Sequence, residues 1–78
     1  MSFTPELVEE IKLLTLYDIA STQEGIKVHK AAGSAAIAAA QRLHAKGLIT
    51  QVDGGYLTNL GIEAAEHARA LLTILSSV

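Results

Sequence analysis

The side chains best placed to do chemistry are basic. Lys27, Lys30, Arg42 and Lys46 fall within residues 25–48, a stretch that contains no Asp or Glu. His29 and His44 lie in the same stretch, and so do Ser34 and Gln41. Lys and Arg neutralise phosphates and release condensed counterions. Four such contacts would give a salt slope of about −3.6, at about −0.9 each. Gln can read a base edge. Four charges in a window of this size are also what an ordinary solvated helix face carries. The absence of any acid there turns the reading toward a phosphate-contacting patch made of Lys27, Lys30, Ser34, Gln41, Arg42 and Lys46.

The flanks have the opposite sign. Residues 1–24 hold Glu6, Glu9, Glu10, Asp18 and Glu24 against Lys12, and residues 49–78 hold Asp53, Glu63 and Glu66 against Arg69. The formal net charge of −2 therefore conceals a positive centre between two negative ends, a distribution that bears on which partners are attracted.

Other chemistries find little support. His29, His44 and His67 are spaced by 15 and 23 residues, which matches no metal-ligand motif. Glu9 and Glu10 are adjacent and so point different ways on a helix, which argues against a catalytic pair. Gly54-Gly55 has no phosphate-loop context and reads as a turn. Ser34 and Thr58 read as helix caps before nucleophiles. The expectation is a protein that is not an enzyme and carries no cofactor and no metal.

Cysteine is absent, so a disulfide framework is excluded and a reducing compartment is the natural expectation. The first residues lack the basic and apolar regions of a secretory signal, and no apolar run reaches the roughly 18 residues that span a bilayer. Cytoplasmic localisation is the default reading.

These residues need elements to position them. Seventy-eight residues allow one domain, 1–78. Half the residues are apolar, and 13 of those are Ala, which favours closely packed short helices over a deep core. Thr4-Pro5-Glu6 predicts the start of a helix over about 5–16. Leu7, Ile11 and Leu14 form its inward stripe, and Glu9, Glu10 and Lys12 should be solvated. Ser21 and Glu24 form a capping box that predicts a second helix over about 22–31. Gly25-Ile26-Lys27-Val28-His29 competes with it, because that alternation suits a strand. A third helix, about 34–46, should close at Gly47. Ile37, Ala40 and Leu43 would face inward, with Ser34, Ala38, Gln41, Arg42 and Ala45 outward. Asp53-Gly54-Gly55 between β-forming segments predicts a hairpin over about 48–58, and Thr58 caps a last helix over about 59–75.

Particular residues carry a resemblance. Arg42-Leu43-His44-Ala45-Lys46-Gly47-Leu48-Ile49 resembles the end of the recognition helix and the first wing strand of MarR-like bacterial regulators. Tyr56-Leu57-Thr58-Asn59-Leu60-Gly61 resembles their second wing strand and the helix start that follows. Ile26 and Ile37 match two core positions of the helix-turn-helix pattern. The chain is also similar to a small family of uncharacterised bacterial proteins described as DNA-binding. The resemblance covers roughly residues 21–65 and implies a mainly α winged helix-turn-helix fold with a small β-hairpin. It further implies a DNA-binding transcriptional regulator that uses helix 34–46 in the major groove. The sequence departs from that pattern in an Ala-rich outer helix face, in Asp53 at the wing tip, and in Lys27 and Lys30 at positions that are commonly apolar or Ala. The Ala-rich outer face, the acidic flanks and the apolar C-terminus motivate an alternative, a protein-interaction module on the same scaffold without DNA recognition.

Leu71, Leu72 and Leu75 make the end of the last helix more apolar than a free surface requires. They form either a core strip or a dimer seam. Winged-helix regulators often dimerise through terminal helices, so the resemblance implies a homodimer. Nothing in the sequence identifies a small-molecule effector or a membrane partner.

Overall fold

The structure is a computed structural model, and it describes residues 3–19 and 25–77. The order of elements is α1 (Pro5–Thr15), β1 (Ile26–Lys27), a 3-10 turn (Lys30–Ala32), α2 (Ser34–Ala45), β2 (Ile49–Gln51), β3 (Gly54–Leu57) and α3 (Asn59–Ser76). The described residues are thus mainly helical, with three α-helices and a small antiparallel sheet in the order β1-β3-β2.

Local chemistry accounts for the ends of these elements. The Thr4 hydroxyl accepts the Leu7 amide at 3.2 Å, with Pro5 in the first turn. The Lys46 residue ends α2, and Gly47 follows at φ 79. The Gly47 amide donates to the His44 carbonyl and the Leu48 amide to the Leu43 carbonyl, both at 3.0 Å. This is the paired closure that a left-handed residue after a helix permits. Thr58 caps α3 by accepting the Gly61 amide at 3.1 Å, and it donates to the Gly47 carbonyl at 2.6 Å. One side chain therefore fastens the start of α3 to the end of α2.

The expected helix over 22–31 is not formed across its described part. Ile26 and Lys27 pair with Gly55 and Gly54 of β3, and the Val28 amide donates to the Asp53 carbonyl at 2.7 Å. The alternation of the sequence decides this. Ile26 and Val28 pack on the core while Lys27 and His29 are exposed. Helical geometry returns only as the 3-10 turn, which Gly33 ends at φ 95. The Ser21–Glu24 capping box lies outside the described residues.

The hairpin forms, but its turn is Val52-Asp53, and both glycines belong to β3. The register shifts by one residue between Ile49↔Leu57 and Gln51↔Gly54. Gly54 and Gly55 have φ of 129 and 73. A Cβ at Gly54 would collide with the Ile26 carbonyl, and one at Gly55 with the Thr50 hydroxyl. The glycines thus serve the close approach of β1 and the bulge more than the turn itself.

The core comprises Leu13, Leu14, Tyr17, Ala39, Ala40, Leu43, Ile49 and Ala65. Three of these are Ala, which lets α1, α2 and α3 approach closely while burying little area per residue. Glu10 joins them at 5% exposure, contrary to its expected solvation. It shares the α1 stripe of Leu13, Leu14 and Tyr17, at i, i+3, i+4 and i+7. Leu7 and Ile11 of the expected stripe are half-buried. Among the described residues, no helix is long and apolar enough to cross a membrane.

Candidate interaction surfaces

Two surfaces follow from this arrangement, one on α2 and one on α3. On α2, Ala39, Ala40 and Leu43 point into the core, and Ile37 is half-buried. Ser34, Gln41 and Ala45 are exposed as expected. Ala38 and Arg42 are not outward. With Pro5, Glu6, Glu9 and Ala35 they line a groove of about 230 Å³ between α1 and α2. The sequence from Gly33 to Gln41 holds no base, so Glu6 and Glu9 set the charge along the first turns of α2.

Arg42 and Lys46 converge on one buried carboxylate. Arg42 Nε donates to Glu10 Oε2 at 3.0 Å, and Lys46 Nζ donates to Glu10 Oε1. Arg42 Nη2 also donates to the Glu6 carbonyl at 3.1 Å. Burial acts to raise the Glu10 pKa. The hydrogen bonds and positive charges of Lys46 and Arg42 outweigh that, so the carboxyl lies below its ordinary value and is ionised at neutral pH. The arrangement is a three-group ion cluster that ties α1 to α2.

Of the six residues expected to form a phosphate-contacting patch, Arg42 and Lys46 are therefore brought together, but on an internal acid. Ser34 and Gln41 remain on the open side of α2, Lys27 is exposed on β1, and Lys30 opens the 3-10 turn. Glu10 is the residue that the sequence reading missed. An acid set in the stripe of Leu13, Leu14 and Tyr17 was the available signal, since a buried carboxylate requires a base against it.

The second surface lies at the far end of α3. That helix packs through Gly61 and Ala65, and Arg69 Nη2 donates to the Thr15 and Tyr17 carbonyls at 3.0 and 3.2 Å. This bond closes the C-terminal end of α1. Beyond Arg69 the helix runs on with Leu71 at 56%, Ile74 at 69% and Leu75 at 66% exposure. A concavity of about 490 Å³, lined by Thr15, Arg69, Leu72, Thr73, Ser76 and Ser77, adjoins them. Among the described residues the apolar end of α3 is exposed and forms no core strip.

A profile for a family of unknown function, DUF5669, matches residues 1–76. The chain belongs to that family. No curated protein matches this DUF5669 chain, and no solved structure does. This DUF5669 domain thus carries one surface closed by an internal ion cluster and one that is open and apolar.

Proposed function

We propose that the chain is a winged-helix-type module that works by protein association and does not read bases in DNA. The order of elements, with β1 joined to the β2–β3 hairpin in the order β1-β3-β2 and α2 placed just before it, supports the winged-helix reading. In that comparison the 3-10 turn takes the place of the full bracing helix of a helix-turn-helix.

The observation that carries the functional reading is the closure of Arg42 and Lys46 onto buried Glu10. A phosphate that took either base would strip a partner from a buried carboxylate. Taking one base leaves the carboxylate with the other alone, at a cost of about 1–3 kcal/mol that offsets the phosphate contact. Glu6 and Glu9 beside α2 add repulsion. The open apolar end of α3 is the kind of surface that protein partners cover.

Anisotropy titration of a labelled generic duplex at low salt tests this. The expected result is no saturable binding below about 10⁻⁴ M, the weak limit of ordinary non-specific association. A micromolar Kd that rises in an Arg42→Ala variant of native circular dichroism would overturn it.

A second reading, DNA contact through Lys27, Lys30, Ser34 and Gln41, rests on the exposure of Lys27, Ser34 and Gln41. It predicts measurable binding with a salt slope near −1.8, from about −0.9 for each of two lysines, and no effect of Arg42→Ala.

A further inference from the structure

The outer face of the small sheet sets one open aromatic ring beside one uncommitted base. The register places them there. Ile26 pairs with Gly55 and Lys27 with Gly54, so Gly25 comes opposite Tyr56, and side chains alternate between the two faces. Ile26 and Leu57 pack on the core. Lys27 and Tyr56 therefore stand on the other face, and both are exposed. Lys27 is the diagonal neighbour of Tyr56 across the β1–β3 pair. Such neighbours lie about 7–8 Å apart, within reach of aromatic and long side chains.

The floor under the ring is bare backbone. A Cβ at Gly25 would stand 3.3 Å from Tyr56 Cε1 and 2.7 Å from the Gly55 carbonyl oxygen. One side of the phenol ring thus rests against a position that any side chain would crowd. Tyr56 is still 46% exposed, so the other side is open. The Tyr56 amide donates to the Thr50 hydroxyl at 2.9 Å, which fixes the backbone that carries the ring.

The charge on this face differs from that on α2. Arg42 and Lys46 are held by Glu10, whereas Lys27 forms no salt bridge among the described residues. Residues 25–29 contain no acid, and Asp53 at the hairpin turn is half-buried. A ring with one open side next to an ammonium group matches a nucleobase and its phosphate. The base stacks on the ring, and the ammonium receives the phosphate. Stacking of this kind is worth about 5- to 100-fold in affinity per base and tolerates every base. In a duplex the faces of the bases are already covered, so the platform selects unpaired ones.

We propose that Tyr56 and Lys27 form a stacking site for an unpaired nucleotide, with the base on the phenol ring and the phosphate at the Lys27 ammonium. The site lies apart from the α2 ion cluster and reads no sequence, so it goes beyond the association reading and does not depend on it.

The test is a titration with single-stranded oligodeoxyadenylate of about 10 nucleotides, within the usual site size of one single-strand-binding domain. Binding is followed at low salt by anisotropy and by the proton resonances of the Tyr56 ring. The expected Kd is about 10⁻⁴ M, the weak end of ordinary non-specific binding, with upfield shifts of the Tyr56 ring. Tyr56→Ala should weaken binding at least about 5-fold, and Tyr56→Phe should keep it within about 2-fold because the ring is retained. Lys27→Gln should reduce the salt slope by about 0.7, the value of one phosphate on a single strand. Both side chains are exposed, so the variants should keep their circular dichroism. An unshifted Tyr56 ring in the wild type overturns the proposal, and so does an unchanged affinity in Tyr56→Ala. Adenosine monophosphate in a parallel arm identifies the source. Equal ring shifts at equal base concentration support the site as one for a free nucleotide, and larger shifts with the oligonucleotide support it as one for a strand. Duplex binding that is lost in Arg42→Ala would overturn the association reading and leave this site standing.

Discussion

Glu10 is the residue on which the most depends. It is buried, it receives Arg42 and Lys46, and its pKa is lowered by them against the opposing effect of burial. A carboxyl whose folded pKa lies below its unfolded value of about 4.5 stabilises the fold above that pH. The stabilisation is lost as pH falls through the folded pKa. Thermal unfolding should therefore show a Tm that drops steeply below about pH 4.5, and the drop should be shallower in Glu10→Gln. At pH 7 that substitution should cost about 1–3 kcal/mol, because it leaves two bases without their charge partner. Tyr17 gives the opposite case. Burial pushes its phenol up to about 12, and its hydroxyl has no hydrogen-bond partner among the described residues. A raised tyrosine pKa leaves stability intact below about pH 10 and erodes it between 10 and about 12. Tyr17→Phe should remove that alkaline loss and raise stability at pH 7 by about 1–2 kcal/mol, since a buried hydroxyl without a partner costs its lost hydration. Chemical denaturation at pH 7 and pH 11 checks both halves.

At the scale of elements, the joint between α2, the hairpin and α3 is the rigid part. Thr58 caps α3 and donates to the Gly47 carbonyl, while Gly61 lies so close to the Leu48 carbonyl that a Cβ would collide with it. Thr58→Ala should cost about 1–2 kcal/mol, at the upper end of what a cap contributes, because two hydrogen bonds go at once. Gly61→Ala should cost more, about 3 kcal/mol, since backbone must move to admit the methyl. Urea midpoints of the two variants would rank them, and the reverse order would refute the close-packing argument. Several elements were legible beforehand for local reasons. Thr4-Pro5 began α1, Gly47 closed α2 and Thr58 began α3, because caps and left-handed glycines act within a turn of themselves. The segment after Gly25 was ambiguous between helix and strand. Its outcome depended on β3 being available to pair with Ile26 and Lys27, which lies about 28 residues away along the chain.

For the whole molecule, the core is thin and the surface uneven. Three of the eight buried apolar residues among those described are Ala, and the last turns of α3 add apolar surface without covering it. A domain of this size buries only about 60% of its unfolded surface, so each buried side chain carries a large share of the stability. Leu43 is 1% exposed, and Leu43→Ala should cost about 2–5 kcal/mol. A urea midpoint checks this, and a loss below about 1 kcal/mol would count against this core.

The sequence by itself determined where α1, α2 and α3 begin and end to within a residue or so, the existence of a hairpin, the apolar end of α3 and the acid-free centre of the chain. These depend on side-chain type and on spacing within a few residues. Only the tertiary structure decided what the centre does with its charge. Arg42 and Lys46 stand 32 and 36 residues from Glu10, and a count of charges in a window cannot register a partner at that distance. Packing α1 against α2 placed one carboxylate under two bases, and the low polarity of the buried site then made their separation costly.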